Sequence, residues 1–170
     1  MFIDEDYLRD FTPIGQNVDI SKVLVWTNEV LLTRIEPILG AFYLDKLTQR
    51  YLASTTTPAD DKVIEKIRPA LAWGSAVQAT INMSYKLKNK GIQKQFGDYS
   101  ESAELNEILF IRDHYQQHAK VHEQRLLDFV CKNKTDYPEA FDNQNKDSQV
   151  FTNCGCEGQT TDFNDSIMII

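Results

Sequence analysis

Apolar side chains at Ile20, Val23, Leu24, Val30, Leu31 and Ile35, with Thr27 among them, follow the spacing of one helical face. Asp19 or Ser21 stands where an N-cap belongs. This pattern predicts a first helix that is interrupted at Pro37 and then at Leu39 and Gly40, because proline lacks a backbone donor and glycine leaves helical geometry readily. A short second helix is expected over residues 41–53. Thr57 can cap a third, with Pro58 suited to the first helical position and Asp60 and Asp61 favourable to the dipole. That helix is read to about Lys88 with a kink near Pro69, and Ala72, Ser75, Ala76 and Ala79 form a small-residue stripe that lets helix axes approach. Residues 92–97 alternate too briefly to establish a sheet, which leaves a hairpin or a loop. A fourth helix starts near Ser100, with Glu101 and Glu104 in its first turn, and carries Leu105, Ile108, Leu109, Tyr115, Ala119, Leu126, Phe129 and Val130.

The two ends read differently. Residues 1–17 mix acids with Phe2, Ile3, Tyr7, Leu8 and Phe11 and close on Thr12, Pro13, Ile14 and Gly15, which predicts an extended arm with apolar, partner-binding anchors. After Lys132 the chain turns to Asn, Asp, Gln, Lys and Thr, with Pro138 and an almost wholly polar run over 142–149. Residues 133–170 are therefore expected to form an extended tail ending in a short strand at Ser166, Ile167, Met168, Ile169 and Ile170. Those last apolar residues are expected to dock on a partner by strand addition, with folding back on the chain's own bundle as the alternative. The fold class expected is mainly α: a bundle of about four helices over residues 18–132, flanked by the arm and the tail. No repeat at solenoid periods is visible.

Composition narrows the function. At 42% hydrophobic and 25% charged over 170 residues, the chain can bury roughly 70% of its unfolded surface and needs no disulfide or metal to fold. No apolar stretch approaches the roughly 20 residues that span a bilayer, so no membrane role is expected. Asp4, Glu5 and Asp6 stand where a secretory signal would carry base, which places the protein in a cytoplasm. Cys131, Cys154 and Cys156 are too few and odd in number for a disulfide framework and read as reduced thiols. The net charge of −7 argues against grasping nucleic acid, yet it suits a surface past which DNA slides without sticking.

Candidate chemistry is sparse. His114, His118 and His122 recur one turn apart and could share a metal ion, but no H-E-x-x-H accompanies them and position 126 is Leu. They read as a stripe with His122 bordering the core and His114 and His118 more exposed. Cys154 and Cys156 make a lone C-x-C without a second pair. Phosphate-loop, dinucleotide and acyl-hydrolase signatures are missing, so neither an enzyme nor a cofactor is expected. Lys86, Lys88, Lys90 and Lys94, with Tyr85 and Phe96 nearby, read as a helix end and loop, with contact to an acidic partner or DNA backbone as the alternative.

Several segments together resemble a known family: F-I-D-E-D-Y-L over 2–8, F-T-P-I over 11–14, P-I-L-G over 37–40 and R-P-A-L-A-W over 68–73. K-N-K-G-I over 88–92, E-Q-R-L-L-D-F over 123–129 and Tyr137-Pro138 complete the set. The chain resembles, up to about residue 140, the small helical head–tail connector proteins of tailed phages that infect Bacteroidota, crAss-like phages included. The resemblance implies a virion protein, assembled in the host cytoplasm, that forms a twelve-fold ring between portal and tail and extends the DNA channel. Its partners would be further copies of itself, the portal protein, other neck or tail proteins, and packaged DNA passing without sequence recognition. Two other classes remain: a small acidic helical binding or regulatory protein, and a helical-bundle metal enzyme built on the histidine stripe.

Overall fold

A computed structural model describes residues 2–15, 18–88, 91–94 and 105–154. It is mainly helical. In chain order the elements are α1 (Glu5–Phe11), α2 (Ile20–Val30), a π-helical turn (Leu31–Ile35), α3 (Glu36–Leu39), α4 (Ala41–Leu52), α5 (Pro58–Ser84), β1 (Tyr85–Lys88), β2 (Gly91–Lys94) and α6 (Leu105–Lys132). Three 3-10 turns (Lys134–Asp136, Pro138–Phe141, Asn143–Asn145) and α7 (Gln149–Cys154) follow. Helices α5 and α6 make the most extensive contact, and α2 lies against α5. The strands β1 and β2 pair antiparallel, with Tyr85 opposite Lys94 and Leu87 opposite Ile92; residues 85–88, read as the end of the third helix, are therefore a strand, and of the segment read as hairpin or loop residues 92–94 lie on its partner.

The small-residue stripe does what its composition suggests. Ser75 Oγ lies 2.9 Å from Thr27 Oγ1 in the buried seam between α2 and α5, and an added Cβ at Gly74 would come within 2.5 Å of Val30 Cγ1. Large side chains would hold the axes apart. The α5 start is also as expected. Thr57 N–H donates to Asp60 Oδ2 at 2.9 Å and Asp60 N–H donates back to Thr57 Oγ1 at 3.2 Å, a reciprocal cap with Pro58 between them.

Three expectations are corrected. The arm over residues 1–17 is not extended where described: Asp4 caps a helix by accepting from Tyr7 N–H at 2.9 Å, and Glu5 and Asp6 fill its first turn. Pro37 does not break the first helix. One wider π turn precedes it, in which Glu36 N–H bonds to Leu31 O, so the ring is accommodated and the chain bends only at Gly40, where φ is 85°. Residues 133–154 are not a tether either; Tyr137, Ala140, Asn145, Ser148 and Val150 are buried against the bundle. Polar side chains there satisfy backbone groups of short turns. Asp142 accepts from Gln144 N–H at 2.9 Å and Ser148 Oγ accepts from Phe151 N–H at 3.1 Å. The expected terminal strand lies outside the described residues.

Candidate functional site

The histidine stripe becomes an aromatic ladder. The His118 ring stacks on Trp73 with centroids 4.3 Å apart and an interplanar angle of 16°, His114 meets His118 edge-on at 4.7 Å, and Tyr115 leans on Trp73 at 5.6 Å. His118 is thus half-buried rather than exposed, because the flat Trp73 face on α5 covers it. His122 faces the other way, onto Phe11 of α1 at 5.6 Å. Burial, with Arg125 and His118 nearby, holds its pKa below the ordinary imidazole value. Among the described residues no group of three His, Cys, Asp or Glu side chains could hold a metal ion.

The amino-terminal anchors turn inward. Phe2, Ile3 and Leu8 are buried in the chain's own core, Arg68 Nε donates to Phe2 O at 2.9 Å, and the Phe2 ring meets Tyr51 at 5.0 Å. Tyr7 is half-buried and stacks on Phe11 at 5.3 Å, which leaves Phe11 the exposed member of the five. The expectation of partner-binding anchors is corrected for Phe2, Ile3 and Leu8: the helical turn places Leu8 on the face that meets α5, and the chain's own core covers all three. Ile167, Met168, Ile169 and Ile170 lie outside the described residues. Lys86 and Lys88 fall on β1 and Lys94 on β2, while Lys90 is outside the described residues.

Cys131 and Cys154 are joined by a disulfide, with Cα atoms 5.5 Å apart, which corrects the reading of reduced thiols. Sequence spacing could not pair them. The bond needs α7 folded back beside the end of α6, and Lys134 Nζ reinforces it by donating to Cys154 O at 3.2 Å.

A polar network escaped the sequence reading. Arg50 of α4 donates to Asp60 at 2.9 Å through NH2 and to Glu139 at 2.8 Å through NH1, and Lys46 donates to Glu139 at 3.1 Å. Burial would raise the Asp60 carboxyl, but hydrogen bonds from Thr57 N–H, the Thr57 hydroxyl and Arg50 outweigh it and hold its pKa below the usual value. The same balance, with Arg50 and Lys46 as donors, lowers Glu139. The Tyr43 hydroxyl and Arg50 Nε beside them are buried and have no hydrogen-bond partner among the described residues. The only sequence signal was the Thr57–Asp60 cap, since the other partners come from α4 and from turns read as tail.

Two kinds of surface remain. Between α5 and α6 runs a groove of about 400 Å3 lined by Lys66, Pro69, His122, Arg125, Phe129 and Lys132, with Glu65, Asp128 and Asn133 at its sides. Elsewhere large apolar side chains point outward on several helices, Phe11 of α1, Leu52 of α4 and Ile81 of α5 among them. Val25 of α2 is 68% and Leu32 of the π turn 58% exposed, and on α6 Phe110 is 75% and Val121 48% exposed. Each pair lies about two or three helical turns apart, on one side of its helix.

A family model matches residues 35–150 and is described as "Family of unknown function (DUF6712)". No curated protein and no solved structure matches the chain.

Proposed function

The chain belongs to the DUF6712 family, and we propose that it is a structural virion protein whose copies form a ring between a phage portal and its tail, extending the DNA channel. The observation that carries this reading is the pair of outward apolar stripes, Val25 with Leu32 and Phe110 with Val121. Scattered exposed apolar residues are ordinary, but aligned ones on two separate helices offer two unlike faces. Unlike faces that meet head to tail generate a cyclic ring when the rotation between copies closes, which is the symmetry a portal axis requires. Two further features support it. The net charge of −7 keeps a channel wall from adhering to DNA, and the Cys131–Cys154 bond is of a kind that persists on a virion surface.

Native mass spectrometry of the purified chain and cryo-electron microscopy of the particle test the proposal together. Val25→Asp with Leu32→Asp should abolish rings and leave a folded monomer, and Phe110→Asp with Val121→Asp should do the same. Mixed together, the two double variants should give pairs and no larger species, because each retains one competent face. Rings formed by either variant alone, or particles with no copy of this chain at the portal vertex, would overturn the reading.

A further inference from the structure

In a chain of net charge −7, the α5–α6 groove gathers three cations without an ion-pair partner. Among the described residues no hydrogen bond or salt bridge engages Lys66, Arg125 or Lys132, whereas Arg9, Arg34, Lys46 and Arg50 are all paired. Its apolar lining is Pro69 and the Phe129 ring, and the Lys66 ammonium sits over that ring at 5.6 Å. Asn133 donates through Nδ2 to Phe129 O at 2.7 Å, which turns its carbonyl oxygen away from that bond as an acceptor.

We propose that this groove binds an acidic segment of a partner protein that carries an aromatic side chain. The aromatic ring would lie on Pro69 and Phe129, where offset or edge contacts add to area burial. Carboxylates flanking it would take hydrogen bonds from Arg125, Lys132 and Lys66, of which Arg125 can engage a carboxylate in bidentate fashion. Glu65 and Asp128 line the same groove, and they decide between anionic ligands. A phosphodiester strand carries a charge on every unit and would meet both carboxylates with like charge. A peptide alternates acids with N–H groups and neutral residues, and can set donors opposite Glu65, Asp128 and Asn133. The overall acidity of the chain disfavours nucleic acid further.

Fluorescence anisotropy with the full chain tests this, using a labelled decapeptide of Asp, Glu and Gly residues around one central Phe. Saturable binding is expected that weakens as salt rises. Arg125→Glu with Lys132→Glu should weaken it by at least about tenfold, and replacing the peptide's Phe by Ala should weaken it by about tenfold. Both altered residues are exposed, so the variant's thermal melt should match the parent's. A single-stranded DNA of the same label should bind more weakly than the peptide. No saturable binding, equal binding by a correctly folded double variant, indifference to the loss of Phe, or tighter binding of the DNA would each overturn the proposal. The ring assay is read separately, so a failed groove leaves the assembly reading standing.

Discussion

Tyr43 shows how little a buried hydroxyl contributes when nothing answers it. Its O–H has no partner among the described residues while its ring lies near Tyr137 and the Arg50 network, and burial, with Asp60 the next influence, pushes its ionisation well above the ordinary tyrosine value. Tyr43→Phe should leave stability unchanged or raise it by up to about 1 kcal/mol, because it removes a desolvated group and no hydrogen bond. Arg50→Met is the contrasting change, since it takes the only cationic partner from Asp60 among the described residues and one of two from Glu139; chemical denaturation should show a loss of about 1–3 kcal/mol at neutral pH. The pH dependence follows from the same groups. Both carboxyls ionise below their unfolded values, so their contribution is complete above about pH 5 and is lost as pH falls through the lower folded values. The deficit of Arg50→Met relative to the parent should therefore shrink on acidification. A deficit constant from about pH 6 to about pH 2 would show that the arginine acts by packing alone.

Gly40 joins α3 to α4 at a φ of 85°, and the Asn145 side chain occupies the space a Cβ would need. Asn145 in turn accepts from Tyr43 N–H at 3.4 Å and donates to Glu139 O at 2.8 Å, so it caps α4 from 102 residues away. Gly40→Ala should cost about 2–4 kcal/mol, combining left-handed backbone strain with the displaced amide. The double variant with Asn145→Ala should cost less than the two single losses added, because the second change clears the space; strict additivity in urea melts would contradict this contact. The element boundaries show what was legible. The Thr57–Pro58–Asp60 start of α5 and the apolar spacing of α2 are local signals, set by residues within a turn of one another, and they read through. Pro37 misled because a π turn upstream can absorb a proline, and nothing in the apolar period marks that turn. Residues 133–154 misled because 3-10 turns bury few side chains and use Asp, Asn and Ser to satisfy their own backbone, which gives them the composition of a linker.

At the scale of the whole molecule, the described residues fold back on one another: Phe2 lies against Tyr51 and Arg68, and α7 returns to α6. That closure decides where adhesion is available. Phe2, Ile3 and Leu8, expected to reach a neighbour, are covered, while the helices that supply the core also carry the outward stripes at Val25 and Phe110. A sequence reading sees apolar residues in both places and has no means of telling which are covered until tertiary contacts are known. The second closure is covalent. Cys131 and Cys154 are separated by 23 residues, and cross-linking a loop of that length restricts the unfolded chain by an amount worth about 3 kcal/mol. The native packing does not depend wholly on the bond, because Tyr137 still lies on Phe129 at 5.8 Å and donates to Ala59 O at 3.2 Å, and Val150 remains buried. Replacing both cysteines by Ser should therefore give a folded chain that is less stable by about 3 kcal/mol in denaturant melts. Protection of α7 amides against hydrogen exchange should fall first, while α5 keeps its protection, because α7 is short and buries only Val150. Equal loss of protection in α5 and α7 would mean that residues 133–154 are integral to the bundle rather than latched onto it.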